Sequence, residues 1–207
     1  TDLVAMYGED YNISSITDYY WYRVDDDTVQ ISFQNQCQHE LFYFAKDNVC
    51  HPSNQIYHKT YYVDDTDPEI ELTVEGHGYY DSCVDYLKVG KTFSLEAEDN
   101  HSCAAGIESI FGRYEWINET GVKHYFPAEG DPNSINGSVL ASKYGYTESE
   151  IADYWWYYTN ESQTEGFFME ECTHILYYWT KDNVCHRSDI HDITFKVDGS
   201  EPEAWLN

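Results

Sequence analysis

The sequence predicts an all-β protein made of tandem β-sandwich modules, one of them partial and one complete. Three observations support this fold class. Short segments rich in alternating, β-branched or aromatic residues recur along the chain, turn-forming segments separate them, and one long segment occurs twice. Many short strands without long helices are typical of a β-sandwich.

The predicted strands are bounded by turn-forming composition, as in DNVCHPSN between the first two. A single short helical turn is predicted at Glu148 to Ala152, at the end of a turn-rich segment at 127–150. The predicted strands, in chain order, are LFYFAKD from Leu41, IYHKTYYVD from Ile56, EIELTVE from Glu69, TFSLEAE from Thr92, GIESIFGRYEW from Gly106, HILYYWTKD from His174 and ITFKVD from Ile193.

An internal repeat organises the chain. Residues 16–51 align without a gap on residues 151–186, and 16 of these 36 positions are identical. The repeat continues downstream, where VDDTDPEIEL from Val63 matches VDGSEPEAWL from Val197. The C-terminal half of the repeat unit therefore occurs twice, whereas its N-terminal half, from residue 67 to about residue 140, occurs once.

The order of these half-repeats along the chain predicts the domain organisation. We expect the C-terminal half of a module in residues 1–66, and a complete module in 67–200 with an inserted loop near 120–150. Residues 201–207 would be the opening strand of a next module or a donated strand. Domains normally begin and end at linkers, so the chain is either a window from a longer tandem array or a subunit completed by its neighbours.

Composition excludes several classes of function. The 207 residues include 38 acidic and 11 basic side chains, giving a formal net charge of -27, which disfavours binding to nucleic acid or to an acidic membrane surface. A hydrophobic content of 42% is too high for a disordered acidic tail. No run of 18 apolar residues is present, so no membrane span is expected. The chain begins without a basic and apolar leader, which indicates a mature or excised piece.

Sequons and cysteines together predict an extracellular location. Six cysteines make an even number, and five N-x-[ST] triplets exceed the one or two that chance would give. The alternative is that Asn, Ser and Thr simply cluster in turns. We expect glycosylation at Asn12, Asn100, Asn118, Asn136 and Asn160.

Both copies of the repeat carry a pattern H-x-L-x-Y-x-x-x-D-N, then a turn, a last strand and a V-D-x-x-x-P segment. The chain thereby resembles the tandem Ig-like repeats of large prokaryotic, often archaeal, cell-surface proteins, in a cysteine-bearing variant. The resemblance implies Ig-like β-sandwich modules with a spacer or scaffold role and supplies no catalytic residues. The residues that carry it are His39, Leu41, Tyr43, Asp47, Asn48 and Val63 to Pro68, and again His174, Leu176, Tyr178, Asp182, Asn183 and Val197 to Pro202.

The cysteine spacing argues against local pairing of Cys172 with Cys185. A strand of about eight residues at roughly 3.3 Å each separates them, whereas a disulfide needs Cα atoms within about 7 Å. In a seven-stranded Greek-key sandwich, Cys83 pairs with Cys172 and Cys103 with Cys185 at opposite ends. Sequential pairing, Cys83 with Cys103 and Cys172 with Cys185, remains the alternative, and Cys37 and Cys50 are expected to pair outside the chain.

Histidines accompany these cysteines, His77 and His174 near one predicted pair and His101 and His186 near the other. Two Cys2His2 zinc sites or a haem attachment are disfavoured, because an extracellular location would oxidise the thiols. No cofactor is therefore expected apart from calcium. The candidate calcium ligands are the acidic residues of the predicted module junction, with a solvated acidic linker as the alternative: Asp64, Asp65, Asp67 and Glu69.

These features predict a non-enzymatic structural protein of an extracellular filament, stalk or surface coat, glycosylated and disulfide-stapled. Its expected partners are copies of itself or adjoining repeats, together with N-linked glycans. The G-x-S-x-G, H-E-x-x-H, P-loop and Rossmann fingerprints of common enzyme classes are absent from the sequence. The alternative is an adhesin or carbohydrate-binding module that uses exposed aromatic residues, namely Trp155, Trp156, Tyr157 and Tyr158.

Overall fold

The computed structural model describes residues 20–49, 51–53, 55–74, 79–81, 84–146, 149–201 and 203–205. The chain divides into two compact units, Thr1–Asp64 and Asp65–Asn207. The division lies two residues before the predicted module boundary at 66/67. Each unit is built from strands, so the all-β prediction is confirmed.

The described part of the first unit contains an antiparallel hairpin of β1 (Cys37–Tyr43) and β2 (Tyr57–Val63). Cys37 lies opposite Val63 and Tyr43 opposite Tyr57, so alternate residues of the two strands share one face. In the connection, the backbone N–H groups of Val49 and His51 both donate to Asp47 Oδ1, at 2.9 Å each. These side-chain hydrogen bonds add to the backbone bond from the Asp47 N–H to the His51 carbonyl oxygen, at 3.0 Å, and stabilise the turn.

The second unit contains two sheets. The smaller sheet has the strand order β11–β6–β3, and the larger has the order β4–β5–β13–β12–β7–β10–β9 with β8 attached to β7. The strand β5 runs parallel to β13, and the other neighbours are antiparallel. The strands are β3 Glu69–Val74, β4 Tyr79–Asp81, β5 Val84–Lys88, β6 Thr92–Glu98, β7 Ile107–Ile117, β8 Lys123–Phe126, β9 Ser134–Asn136, β10 Trp155–Thr159, β11 Gln163–Phe167, β12 Thr173–Asp182 and β13 His191–Asp198.

The two sheets of this unit pack face to face around one apolar core. The small sheet contributes Phe93, Leu95 and Ala97 from β6, all less than 9% exposed. The large sheet contributes Leu176 from β12 and Phe195 from β13. A β-sandwich needs this alternation on both inner faces, and the predicted strands at 69–75, 92–98 and 106–116 supply much of it.

The predicted inserted loop holds β9 and two short helices, α1 (Gly137–Tyr144) and α2 (Ser149–Ala152). Asn136 caps α1 by accepting a hydrogen bond from the Ser138 N–H, and Gly145 ends it in the left-handed conformation, at φ 77°. The helices cover a second apolar cluster, made of Phe111, Leu140, Ile151, Trp156 and Trp179. In the residues described, no helix is long and apolar enough to cross a bilayer.

Candidate functional site

Two aspartate–histidine pairs lie at the ends of core strands of the second unit. The first pair follows β6, where Asp99 Oδ1 lies 3.4 Å from His101 Nε2. The Asp99 side chain is 1% exposed, and its other oxygen, Oδ2, accepts a hydrogen bond from the Gly106 N–H at 2.7 Å. Asp99 Oδ1 has no hydrogen-bond partner among the described residues. The carboxylate is therefore buried and held in one orientation, with one oxygen facing the histidine.

The second pair ends β12. Asp182 Oδ2 lies 3.3 Å from His186 Nδ1, and the Asp182 side chain is fully buried. Its Oδ1 accepts hydrogen bonds from the N–H groups of Val184 and His186, at 2.9 and 2.8 Å. The same arrangement occurs in the first unit, where His51 Nδ1 lies 3.4 Å from Asp47 Oδ2. There, however, the two side chains are 74% and 52% exposed.

Thr66 joins the two pairs. Its carbonyl oxygen lies 3.0 Å from His186 Nδ1, and its hydroxyl contacts His101 Nε2. The predicted association of His101 with His186 thus has a structural counterpart, but carboxylates rather than thiolates accompany the histidines. The sequence carries a usable indication of this, since both histidines follow an aspartate within four residues at a strand end.

The predicted calcium ligands lie in the segment 64–69. Asp64, the last residue of the first unit, is buried, whereas Asp65, Asp67 and Glu69 are exposed. In the second unit, a cleft of about 450 Å³ is lined by Thr66, Asp67, Glu69, Glu98, Asn100 and His101. Glu69 and Glu98 also lie directly opposite each other in the β3–β6 ladder, a like-charge pairing that costs stability without a cation between them.

The cysteines differ from the prediction. Cys172 and Cys185 are free thiols, so neither Cys83–Cys172 nor Cys103–Cys185 is formed, and the alternative Cys172–Cys185 pair is not formed either. The ten residues of β12 separate the two thiols, which explains why they do not pair with each other. Cys103 and Cys37 are disulfide-bonded, and Cys37 is bonded within the chain rather than outside it. Cys50 and Cys83 lie outside the described residues, as does His77.

Cys172 lies beside a buried histidine. Its Sγ is 3.1 Å from His174 Nε2, which also lies 3.0 Å from the Glu170 carbonyl oxygen. Burial raises the pKa of the Cys172 thiol, and the Glu170 charge adds to this. Burial also lowers the pKa of His174, against the opposing effect of Glu170. Both shifts favour neutral side chains, so the pair is a packed thiol and imidazole rather than an activated nucleophile.

Four of the five sequons lie in described residues. Asn118 Oδ1 accepts hydrogen bonds from Thr120 and Val122, and Asn136 caps α1, so both are turn or cap residues. The amide nitrogens of Asn100 and Asn118 hydrogen-bond to Glu98 and His124. Asn160 is exposed, and its Oδ1 accepts a hydrogen bond from Ser109 Oγ at 3.1 Å. Asn12 lies outside the described residues, and glycosylation stays a prediction at all five.

The predicted aromatic segment forms β10. Trp156 is fully buried, while Trp155, Tyr157 and Tyr158 are partly exposed. Trp155 contributes to a cleft of about 380 Å³ whose lining also includes Arg113, Tyr125, Phe126, Asp153 and Tyr154. The Arg113 guanidinium lies over the Tyr154 and Tyr177 rings, at 3.7 and 3.8 Å from their centroids. Aromatic faces with nearby charged groups can bind polar ligands by stacking and hydrogen bonding.

No protein-family model matches the chain, and no curated protein matches it.

Proposed function

We propose that the chain is part of a non-enzymatic structural protein of an extracellular filament, stalk or surface coat, built from Ig-like modules that join end to end. The observation that carries this proposal is that one face of the first hairpin is only partly covered by the described residues, with Leu41 and Tyr61 half-buried and Tyr43 exposed. That face is the one formed by alternate residues of β1 and β2, including Leu41, Tyr43 and Tyr61, and we call it the open face.

The second unit shows what such a face requires. Position for position, Leu41, Tyr43 and Tyr61 correspond to Leu176, Tyr178 and Phe195 of the hairpin β12–β13. Those three residues are 2%, 9% and 0% exposed, because β6 and β7 pack on or beside them. Tyr43 is 47% exposed. An apolar sheet face of this kind is stable only when another layer covers it.

The occupant of the open face is the counterpart of residues 67–118, supplied by a neighbouring repeat of the same kind. That segment contains β3, β6 and β7, which complete the hairpin β12–β13 in the second unit. A neighbouring repeat would therefore bury the open face with surfaces that already fit its equivalent. Trp205, which is 84% exposed, offers a further contact to such a neighbour.

The topology of the second unit supports Ig-like modules. Its small sheet β3–β6–β11 faces a sheet containing β5–β13–β12–β7, which corresponds to strands A, B and E opposite A′, G, F and C of an immunoglobulin-type sandwich. The disulfide-bonded cysteines and the net charge of -27 support an oxidising, extracellular location and a soluble surface.

A pair of matched substitutions in the full chain tests the proposal. Tyr43 lies on the open face and Tyr62 on the opposite face of the same hairpin, where the second repeat has Lys196. We expect wild-type chains to associate with increasing concentration in analytical ultracentrifugation, Tyr43→Lys to weaken association at least tenfold, and Tyr62→Lys to leave it unchanged. A monomer at all concentrations, or equal effects of both variants, contradicts the proposal.

The second candidate is a carbohydrate-binding module, favoured by the cleft that contains Trp155. Sugar rings stack on partly exposed aromatic side chains, and Arg113 and Asp153 would hydrogen-bond to hydroxyl groups. Glycan-array binding that is lost in Trp155→Ala and kept in Tyr20→Ala would support this function. Tyr20 is the equivalent of Trp155 in the first repeat.

A further inference from the structure

We propose that Asp99, His101, Asp182 and His186 bind a divalent transition-metal ion of the Zn²⁺ class. The four side chains come from two separate loops, one after β6 and one after β12. Thr66 contacts both histidines and so brings the two loops to one place. The proposal is distinct from the predicted calcium site, whose ligands were the acidic residues of the 64–69 segment alone.

The ligand types select the ion. Calcium prefers oxygen ligands only, whereas two imidazoles with two carboxylates are typical of Zn²⁺ and related ions. The Asp99–His101 and Asp182–His186 pairs have side-chain separations of 3.4 and 3.3 Å. The two pairs are linked by Thr66, whose carbonyl oxygen lies 3.0 Å from His186 Nδ1 and whose hydroxyl contacts His101 Nε2, so side-chain rotation toward Thr66 would let one ion contact both pairs. The Thr66 carbonyl and hydroxyl oxygens lie beside the two histidines and are additional candidate metal ligands.

The buried carboxylate of Asp99 is the independent indication of a ligand. Its side chain is 1% exposed, and Oδ1 has no hydrogen-bond partner among the described residues. A buried carboxylate oxygen without a hydrogen bond costs free energy, and at 3.4 Å the His101 ring is near enough to share a cation with it. A metal ion at His101 would satisfy this oxygen directly.

The outer contacts of both aspartates orient them for coordination. Asp99 Oδ2 is held by the Gly106 N–H, and Asp182 Oδ1 by the Val184 and His186 N–H groups. In each case the remaining oxygen faces a histidine. Metal-ligating carboxylates are commonly fixed by such hydrogen bonds, which lower the cost of binding.

The site also has an entry path. His101 lines the cleft of about 450 Å³ together with Asp67, Glu69 and Glu98. Its side chain is 25% exposed and that of His186 is 33% exposed. The acidic lining attracts cations to the cleft, and His101 is accessible from it. The ion would then join the segment before β3 to the loops after β6 and β12.

The test uses the full chain, treated with chelator and then titrated with Zn²⁺, Mn²⁺ and Ca²⁺ by isothermal calorimetry. The background is Cys172→Ser with Cys185→Ser, since Cys185 is an exposed thiol next to His186 that could bind zinc on its own. We expect one high-affinity Zn²⁺ site per chain, weaker Mn²⁺ binding, and an increase in the melting temperature of the second unit with Zn²⁺.

Single histidine substitutions decide the assignment. His101→Gln and His186→Gln should each lower Zn²⁺ affinity at least tenfold. His51→Gln is the matched control, because His51 has the same aspartate-capped turn on an exposed surface. This variant should bind Zn²⁺ with unchanged affinity. Loss of Zn²⁺ binding in the serine background alone, unchanged affinity in His101→Gln and His186→Gln, or tight binding of Ca²⁺ but not Zn²⁺ would overturn the proposal.

Discussion

The hairpins β1–β2 and β12–β13 have the same local structure in different surroundings. Their registers are identical, since His39 pairs with Tyr61 as His174 pairs with Phe195. Phe33 stacks on His39 at 4.5 Å, and the equivalent Phe168 stacks on His174 at 4.4 Å. The hairpin is therefore specified by its own sequence, without the rest of the module.

The segments before the two hairpins behave differently. Residues 155–159 and 163–167 form β10 and β11, which pair with β7 and β6. Their counterparts in the first repeat lie within residues 20–36, all described, which contain no strand. The comparison teaches that the hairpin forms from local register, whereas β10 and β11 form because partner strands are present.

The largest expected difference between the units comes from one aromatic pair. Trp179 is fully buried, stacks on Phe111 at 4.1 Å and meets Trp156 edge-on, whereas the equivalent Phe44 contacts Trp21 in the first unit and is partly exposed. Trp179→Ala should lower the free energy of unfolding of the second unit by about 3–5 kcal/mol. Phe44→Ala should cost about 1 kcal/mol.

Urea denaturation followed by circular dichroism measures both values. Equal losses in the two variants would mean that Phe44 is packed as completely as Trp179, and would contradict the difference in surroundings between the two hairpins.

Gly166 packs against the side chain of Phe93 in the second repeat, whereas the equivalent residue of the first repeat is exposed. A Cβ at Gly166 would lie 2.4 Å from the Phe93 ring, whereas the equivalent position in the first repeat is Ile31, which is 52% exposed. Gly166→Ala should therefore destabilise the second unit by about 1–3 kcal/mol through overpacking. Ile31→Ala should change stability by less than about 0.5 kcal/mol. Thermal unfolding measures both effects. If Gly166→Ala left the stability unchanged, the Phe93 ring could not lie as close to Gly166 as the structure shows.

A smaller effect should appear in acid. Burial lowers the pKa of His174 below its ordinary value of 6.5. As the pH falls through about 6.5, the unfolded chain takes up a proton that folded His174 does not. The stability of the second unit should therefore fall from that pH downward, and the loss should end below the pKa of the folded state.

The His174→Phe variant checks this effect. Phenylalanine keeps the stacking on Phe168, removes the titration, and removes a buried Nδ1 that has no hydrogen-bond partner among the described residues. Urea denaturation at a series of pH values from 8 to 4 should give a shallower acid decline in the variant. An unchanged decline would assign it to other groups.

Much of the fold follows from sequence periodicity. The predictions at 69–75, 92–98 and 106–116 correspond to β3, β6 and β7, and the helical turn at 148–152 to α2, because alternation and turn residues act locally. The strands β4, β5, β8, β9 and β11 and the helix α1 were not predicted. The parallel pairing of β5 with β13 joins residues more than 100 positions apart, which no local pattern reveals.

The candidate site was only partly predictable. The association of His101 with His186 was anticipated from their positions at strand ends, whereas the acidic ligands were predicted at Asp64, Asp65, Asp67 and Glu69 and not at Asp99 or Asp182. The buried orientation of Asp99 and Asp182 could not be anticipated, because it depends on backbone N–H groups of the loops that hold them. The predicted cysteine pairing was wrong, since Cys172 and Cys185 are free thiols even though the loops after β6 and β12 both contact Thr66.

The smallest perturbation is chemical labelling of the thiols, which compares equivalent cysteines of the two repeats. Cys37 is disulfide-bonded, whereas its equivalent Cys172 is free, as is Cys185. Iodoacetamide added to native, unreduced protein should therefore modify Cys172 and Cys185, followed by peptide mass spectrometry. Cys185 should react faster, because it is exposed and burial raises the pKa of the Cys172 thiol, which lowers the reactive thiolate fraction.

Reduction before labelling should add Cys37 and Cys103 to the modified residues. Recovery of a Cys103–Cys185 peptide would instead restore the pairing expected from a Greek-key sandwich, and the two repeats would then differ less than the structure indicates. Labelling of the native chain leaves the fold intact. The experiment therefore shows whether the two repeats differ in their disulfide bonds, independently of any difference in packing.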